Sequence, residues 1–331
     1  MARTIVVNEI GGPDVMRVVD RDPGQPGAGE IRIRHKAVGI NFADIHYRRG
    51  TAPPHAMAAL PIPFTPGLEG AGLVEAVGQG VPQFRVGDRV AYASASHTIG
   101  AYTEARVYPA DRAFKLPDGI SDVDAAALLY RGITVHGLVR ACRPIKLGDV
   151  VLLHAAAGGV GAIISQWANH LGASVIGTTS TQAKAKYAHA HGCAHVIATD
   201  REDFVSRVRD LTGGRGVDVV FDGVGSDTFL RSFECIRKYG MMVSFGQAAG
   251  MMAPVDPVLL QHKGLYLTKF SGSTYNADAA EYQQRATEVL AAIEAGVLKR
   301  GEHALYALDN VGEAHRELEG RRSTGSLVIT F

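Results

Sequence analysis

The residues best suited to chemistry fall into three short runs. The first follows the apolar segment Val150–His154, which reads as a buried strand, and it opens a helical pattern. From His154 to Gly161 it reads HAAAGGVG. Against a G-x-G-x-x-G template this gives Ala156, Gly158 and Gly161, with Gly159 as an additional glycine. Small residues here let backbone approach a pyrophosphate. A helix starting near Val160 adds unpaired N–H groups and the positive end of its dipole. Gly158, Gly159, Val160 and Gly161 are therefore the first candidate dinucleotide-binding residues.

The second run ends the next strand and distinguishes between dinucleotides. A carboxylate about 20 residues on would suit the ribose hydroxyls of NADH. The chain instead places Thr178, Thr179, Ser180 and Thr181 there, followed by Lys184 and Lys186. Hydroxyls that donate, a nearby lysine and no carboxylate suit a 2′-phosphate, so NADPH is the expected cofactor. Two later strand ends, Asp222-Gly223-Val224-Gly225 and Ser244-Phe245-Gly246, are expected to line the same crevice. Ligands bind beyond the carboxyl ends of strands in such sheets, and backbone at Val224, Phe245 and Gly246 would hold the nicotinamide end.

The third run is Asn41-Phe42-Ala43-Asp44-Ile45-His46-Tyr47-Arg48. Asn41 is suited to hydrogen-bond a nicotinamide ribose or an acceptor carbonyl, and His46 and Tyr47 are suited to proton donation. Asp44 and Arg48 have i, i+4 spacing and read as an ion pair that braces the segment. Metal chemistry finds no support. Cys142, Cys193 and Cys235 are far apart, and the 13 histidines show no paired ligand spacing, with His189 and His191 reading as solvent-facing.

These runs need elements to hold them. Short segments Ile31–Ala37, Gly72–Val77, Arg89–Tyr92 and Thr103–Val107, separated by Gly/Pro turns, predict a β-rich first domain. Helical character begins near Ser121 or Asp122. From Val150 strands and helices alternate. Strands are expected at Val175–Thr179, His195–Ala198, Val217–Asp222 and Met241–Phe245. Helices are expected at Val160–Leu171, Gln182–His191, Phe204–Leu211 and Thr228–Lys238. Near-continuous apolar strands alternating with helices predict a parallel sheet covered on both faces, hence an α/β, doubly wound architecture. Ala279–Ala295 reads as a long helix. Gly325–Phe331 reads as a strand that rejoins the first domain.

Composition sets the outer bounds. A length of 331 residues suggests two domains, and 46% hydrophobic with 20% charged residues describes a globular chain. Thirty-four basic against 33 acidic residues give a net charge of +1, which argues against nucleic acid as a partner. The apolar stretch from Val150 to Ala168 is interrupted by glycines and reads as strand–turn–helix rather than a membrane span. Few cysteines and no secretory signal suggest a cytoplasmic protein.

The motifs GGPDVMRV, AVGINFADIHYRRG, PFTPGLEGAGLVEAVG, FRVGDRVAY, GITVHGL, LLHAAAGGVG, DGVGSDTF, GMMVSFGQAAG and RSTGSLVI, taken together, cover nearly the whole chain. As a set they resemble the zeta-crystallin-like quinone oxidoreductases of the medium-chain dehydrogenase/reductase superfamily. The resemblance implies a GroES-like β domain (1–127, completed by 266–331), a Rossmann NADPH-binding domain (128–265), an active site in the cleft and a homodimer. It also implies that Asn41 lies in that cleft, that Thr134 lies near the nicotinamide, that Arg321 (with Arg322 as competitor) helps bind the adenosine phosphate, and that Phe270 belongs to the cofactor set.

Compared with the zinc branch of that superfamily, the residues differ at each ligand position. Asn41 and Arg131 stand where it has catalytic cysteines, and Leu68 where it has a histidine. Without a Lewis acid, a conjugated acceptor that spreads incoming charge is the easier substrate. The expected reaction is zinc-independent reduction of quinones by NADPH. The alternatives are reduction of activated C=C bonds in enones, alkenals or enoyl thioesters, and a structural or RNA-associated role of crystallin type. Departures from the family pattern are His46 in place of a tyrosine, the Ala/Pro-rich stretch Thr51–Leu60, and Thr199 where relatives often have a tyrosine.

Overall fold

A computed structural model describes residues 1–52, 57, 60–93, 98–301 and 303–331. The chain forms two compact units. Unit 1 comprises Met1–Ile133, Ser273–Glu294 and Arg300–Phe331; unit 2 comprises Thr134–Gly272 and Ala295–Lys299.

Unit 1 begins with the antiparallel pair β1 (Ala2–Val7) and β2 (Met16–Arg21). Next come β3 (Glu30–Ile40), the helix α1 (Phe42–Arg48), β4 (Glu69–Val77), β5 (Arg89–Ala93), β6 (Ala105–Pro109) and β7 (Ala113–Lys115). Helix α2 (Asp122–His136) runs from unit 1 into unit 2. Its N-terminus is capped by the Ser121 hydroxyl, which accepts from the Asp124 N–H at 3.0 Å.

Unit 2 alternates strand and helix. The order is β8 (Val150–Leu153), α3 (Gly159–His170), β9 (Ser174–Thr179), α4 (Ala185–Ala190), β10 (His195–Ala198), α5 (Phe204–Leu211), β11 (Val217–Asp222), α6 (Phe229–Cys235), β12 (Ile236–Ser244) and β13 (Tyr266–Lys269). All pairings are parallel, in the order β10-β9-β8-β11-β12-β13. The order reverses at β8/β11, as in a doubly wound dinucleotide-binding sheet. Its core buries Leu152, Ile176, Ile197, Val220 and Met242 against Phe204, Phe229 and Phe233 of the helices.

The chain then returns to unit 1 through α7 (Ala279–Glu294), β14 (Ala304–Ala307), α8 (Val311–Glu319) and β15 (Leu327–Thr330). Strand β15 is inserted between β14 and β3, parallel to the first and antiparallel to the second. The expectation that the last strand rejoins the first domain therefore matches the structure.

Four sequence readings are corrected, two of them at the site below. The junctions lie at 133/134 and 272/273, not at 127/128 and 265/266. The first shifts because α2 is continuous through it, and the second because β13 pairs with β12 and so belongs to the parallel sheet. The helix expected over Thr228–Lys238 stops at Cys235. Ile236 pairs instead with Val217, and the extra residues before Met241 form an irregularity in which Tyr239 takes a φ of +59°. The third correction concerns Asp44 and Arg48 and the fourth Thr178 and Thr179, and both are described with the site.

Candidate active site

In unit 2 the candidate cofactor residues converge on the carboxyl ends of the strands. After β8 the chain turns through Ala155, at φ +55°, which is uncommon for a residue with a side chain. Gly158 then caps α3 with no side-chain hydrogen bond and no acidic residue in the first turn. The N–H groups of Gly159, Val160 and Gly161 occupy the turn that has no intrahelical partner, so they face any ligand at the helix end. Gly161 is glycine for a packing reason: a Cβ there would lie 2.3 Å from the Ala155 carbonyl oxygen. At Gly158 a Cβ would meet only that oxygen, at 3.3 Å, so this glycine leaves room rather than avoiding backbone.

Thr178 and Thr179 end β9, and their side chains are spent inside the protein. Thr178 is buried and its hydroxyl lies 3.0 Å from His154 Nδ1. Ser232 donates to the Thr228 carbonyl, so His154 Nε2, 2.8 Å away, must donate to Ser232. Nδ1 then accepts from Thr178. Burial pushes the His154 imidazole down to about 3, keeping it neutral. Thr179 donates to the Thr181 carbonyl at 3.0 Å. The reading of both threonine hydroxyls as phosphate donors is thus corrected. Ser180 is exposed, and Lys184, the last residue of the turn Gln182–Lys184, is half-buried. Thr199 donates to the Thr179 carbonyl and braces the same strand end.

The loops after β11 and β12 pack on each other. Buried Asp222 accepts from the N–H groups of Val224 at 2.7 Å and Gly225 at 3.2 Å, and from the Thr228 hydroxyl at 3.0 Å. Burial pushes its carboxyl up, and these donors oppose the rise. A Cβ on Gly223 would strike the Phe245 ring at 2.7 Å, and one on Gly246 would strike the Gly223 oxygen at 2.7 Å. Backbone of Val224, Phe245 and Gly246 therefore lies at one strand edge. Phe270 joins it from the end of β13 through its N–H to the Ser244 carbonyl. Thr134, half-buried on α2, is the first residue of unit 2.

In unit 1, Asn41 ends β3 and begins α1. It is 4% exposed, and its Nδ2 donates to Glu69 Oε1 at 2.8 Å. Asp44 does not pair with Arg48. Its carboxylate accepts from the N–H groups of Asn41 at 2.8 Å and Gly67 at 3.1 Å, and from the Tyr102 hydroxyl at 3.1 Å. Arg48, fully buried, instead pairs with Glu319 of α8. The helical spacing is right, but Asp44 is consumed at its own helix N-terminus.

His46 is half-buried, with Nδ1 2.9 Å from the Thr51 hydroxyl and its ring 5.3 Å from Phe42. Tyr47, one position on, turns into the apolar core with Phe64 and Leu68. Most of the Thr51–Leu60 stretch, residues 53–56 and 58–59, lies outside the described residues. Arg321 is exposed after α8 at φ +53°, whereas Arg322 donates to the Arg316 carbonyl at 3.3 Å, closing the helix end. Sequence reasoning assigned no individual role to His154 or Glu69, and named Asp222 only within a crevice-lining run. Each is a buried polar residue at a strand end, and a polar break in an apolar run was the available signal.

Residues 27–118 match the family described as alcohol dehydrogenase GroES-like domain, and residues 159–292 match zinc-binding dehydrogenase. The chain is 41% identical over 330 residues to a quinone oxidoreductase of Pseudomonas aeruginosa, covering 99% of each. It belongs to the quinone oxidoreductase family. A 2-haloacrylate reductase of Burkholderia sp is 38% identical over 333 residues, again with 99% of each covered. The crystal structure of Escherichia coli quinone oxidoreductase complexed with NADPH superposes with a TM-score of 0.93 at 40% identity, covering 99% of this chain and 100% of that one.

The zinc in the second family description does not fit the residues here. Among the described residues no group of three or more His, Cys, Asp or Glu is arranged to hold a metal. Arg131, at an expected cysteine position, puts a guanidinium 3.5 Å from Glu69. NADPH does fit: the open helix end at Gly158, Ser180 and Lys184 after β9, and the glycine-lined loops suit a dinucleotide.

Proposed function

We propose that this protein is an NADPH-dependent oxidoreductase that reduces quinones without a metal. The observation that carries this reading is the end of β9, where exposed Ser180 and half-buried Lys184 follow the strand and the run from Thr178 to Lys186 holds no carboxylate to repel a 2′-phosphate. Gly158 to Gly161 hold the pyrophosphate through N–H groups, and Lys184 neutralises part of the 2′-phosphate charge. Arg321 adds a second positive charge toward the adenosine phosphate. Backbone at Val224, Phe245 and Gly246, with Thr134 and Phe270, holds the nicotinamide end. When bound, the reduced nicotinamide supplies the hydride or electrons.

Asn41 supplies a fixed amide to the reactants. His46 is the accessible proton-bearing group of α1, while Tyr47 packs behind it. An electron-poor quinone spreads incoming charge over its ring, so positioning and exclusion of water are what the protein must provide. Among the described residues no helix is long and apolar enough to cross a membrane, and we place the protein in the cytoplasm. We also propose a homodimer, supported by β13, whose outer edge has no partner strand among the described residues and carries Tyr266 at 60% exposure.

A second reading, reduction of activated C=C bonds, has the support of the 2-haloacrylate reductase relative and of His46 as a proton source for the α-carbon. The test follows NADPH absorbance with a panel of quinones, enones and haloacrylates. Quinone turnover exceeding that of the alkenes supports the first reading. Turnover confined to the alkenes replaces it with the second.

A further inference from the structure

We propose that Glu69 is a positioning residue for the reaction, acting through Asn41; the inference rests on the reading that Asn41 faces the reactants. Glu69 opens β4, and its carboxylate has no exposure to solvent. Three groups address it. Asn41 Nδ2 donates to Oε1 at 2.8 Å, the Tyr130 N–H donates to Oε2 at 2.9 Å, and Arg131 Nη1 lies 3.5 Å from Oε1. Arg131 is held in turn by the carbonyls of Ala127 at 2.8 Å and Ile40 at 2.5 Å. A Cβ on Gly39 would lie 2.2 Å from Oε1, so residue 39 must lack a side chain for the carboxylate to fit.

An amide side chain has two chemically opposite ends, and rotation by half a turn exchanges them at little steric cost. A carboxylate only accepts, so Glu69 selects the Nδ2 end of Asn41, and Oδ1 turns to the first turn of α1, where the capping box gives it the Asp44 N–H and leaves one lone pair. The backbone of the same residue is fixed independently by Asp44, which accepts the Asn41 N–H at 2.8 Å. Asn41 thus presents one orientation, with an acceptor oxygen suited to a hydroxyl of the cofactor ribose or of the hydroquinone product. Arg131 balances the Glu69 charge, which lets a buried carboxylate serve this purpose.

Glu69→Gln, Asn41→Ser and the double variant decide the matter, measured with NADPH and a quinone. Glu69→Gln puts an NH2 group where the carboxylate accepts, and that donor favours the flipped Asn41 amide. Each single variant is expected to lose about 10-fold in kcat, with the KM for quinone within about two-fold of native. The double variant is expected to lose no more than the worse single one, because Glu69 has nothing left to orient. Melting temperature falls for both proteins carrying Glu69→Gln alike, which is what a structural role alone would give. Asn41→Asp placed in the Glu69→Gln protein restores an acceptor facing outward, and kcat is expected to recover.

Multiplicative losses in the double variant overturn the proposal while leaving quinone reduction intact. Native kcat in Asn41→Ser overturns it as well. Failure of the native protein to reduce any quinone is a separate result and strikes the proposed function. If Glu69→Gln does not fold, crystals of the native protein with NADPH carry the test. Asn41 Nδ2 still bonded to Glu69 supports the proposal, and an Asn41 amide swung away from it overturns it.

Discussion

Asp44 accepts a hydrogen bond from the Tyr102 hydroxyl at 3.1 Å, inside a layer where neither residue meets solvent. That hydroxyl has one proton, so His315 Nε2, 3.0 Å away, is the donor on its other side. Burial pushes the Asp44 carboxyl up to about 7 from its usual 3.8. The folded state therefore binds a proton that the unfolded state has released. The stability this group contributes is complete below about pH 4 and disappears as the pH rises through about 7. Asp44→Asn removes the titration. Its stability relative to the native protein should improve by about 4 kcal/mol between about pH 4 and pH 8. Thermal denaturation across that range reads this directly, and a pH-independent difference would contradict it.

Arg48 and Glu319 are 271 residues apart in sequence, and the arginine side chain is completely buried. Among the described residues, its Nε and Nη1 have no hydrogen-bond partner. Glu319→Gln leaves that charge in place and is expected to cost about 3–5 kcal/mol in urea denaturation. Arg48→Met removes the charge and fills similar space, so it should cost clearly less. The reverse ranking would show that the ion pair stabilises α1 more than this reasoning allows.

Gly158 and Gly161 separate binding from folding. Gly161→Ala forces a methyl group to 2.3 Å from the Ala155 oxygen and should lower the melting temperature. Gly158→Ala meets little protein and should fold normally, yet weaken NADPH binding about 10-fold or more by occupying the cofactor's path. Titration of NADPH fluorescence, together with a melting curve, distinguishes the two. Native affinity in Gly158→Ala would remove this glycine from the cofactor site.

Lys184→Ala should raise the Kd for NADPH about 10-fold and change that for NADH little, because only the first carries the 2′-phosphate. Calorimetric titration with both cofactors measures the ratio. Equal effects on the two would assign Lys184 elsewhere.

The open edge of β13 predicts association of two copies. Tyr266→Glu, at an exposed position, should shift sedimentation from dimer to monomer with the fold intact. A native protein that sediments as a monomer at all concentrations would end the homodimer proposal.

Much of unit 2 was legible in the sequence because each buried strand is a continuous apolar run and each helix a separate pattern. Val217–Asp222 and His195–Ala198 emerge with the bounds read from the sequence. Strand β13 was missed because none of its four residues is buried, so no apolar run marks this edge strand. The helix after Thr228 was overextended because Arg237 and Lys238 favour helix locally, while Ile236 gains a partner in Val217 that no window could reveal.

The site was legible where backbone does the chemistry, at Gly158–Gly161, and less so where side chains do. Period-two alternation along β9 already implies that Thr178 and Thr179 face opposite sides, yet both turn out to be occupied, by His154 and by the Thr181 carbonyl. Glu69 drew no role because its partners stand 28 and 61 positions away. Arg48 followed a distant carboxylate rather than the one four residues earlier.

The placement of β15 between β14 and β3 also governs how the chain is made. Residues Thr134–Gly272 leave the ribosome as one stretch carrying every strand of the parallel sheet, so that layer can assemble during synthesis. Strand β3 finds β4 and β6 early, but the margin of its Ala37–Ile40 half waits for Leu327–Thr330. A nascent polypeptide paused before that point exposes a hydrophobic strand margin, which is where a chaperone would be expected to engage it.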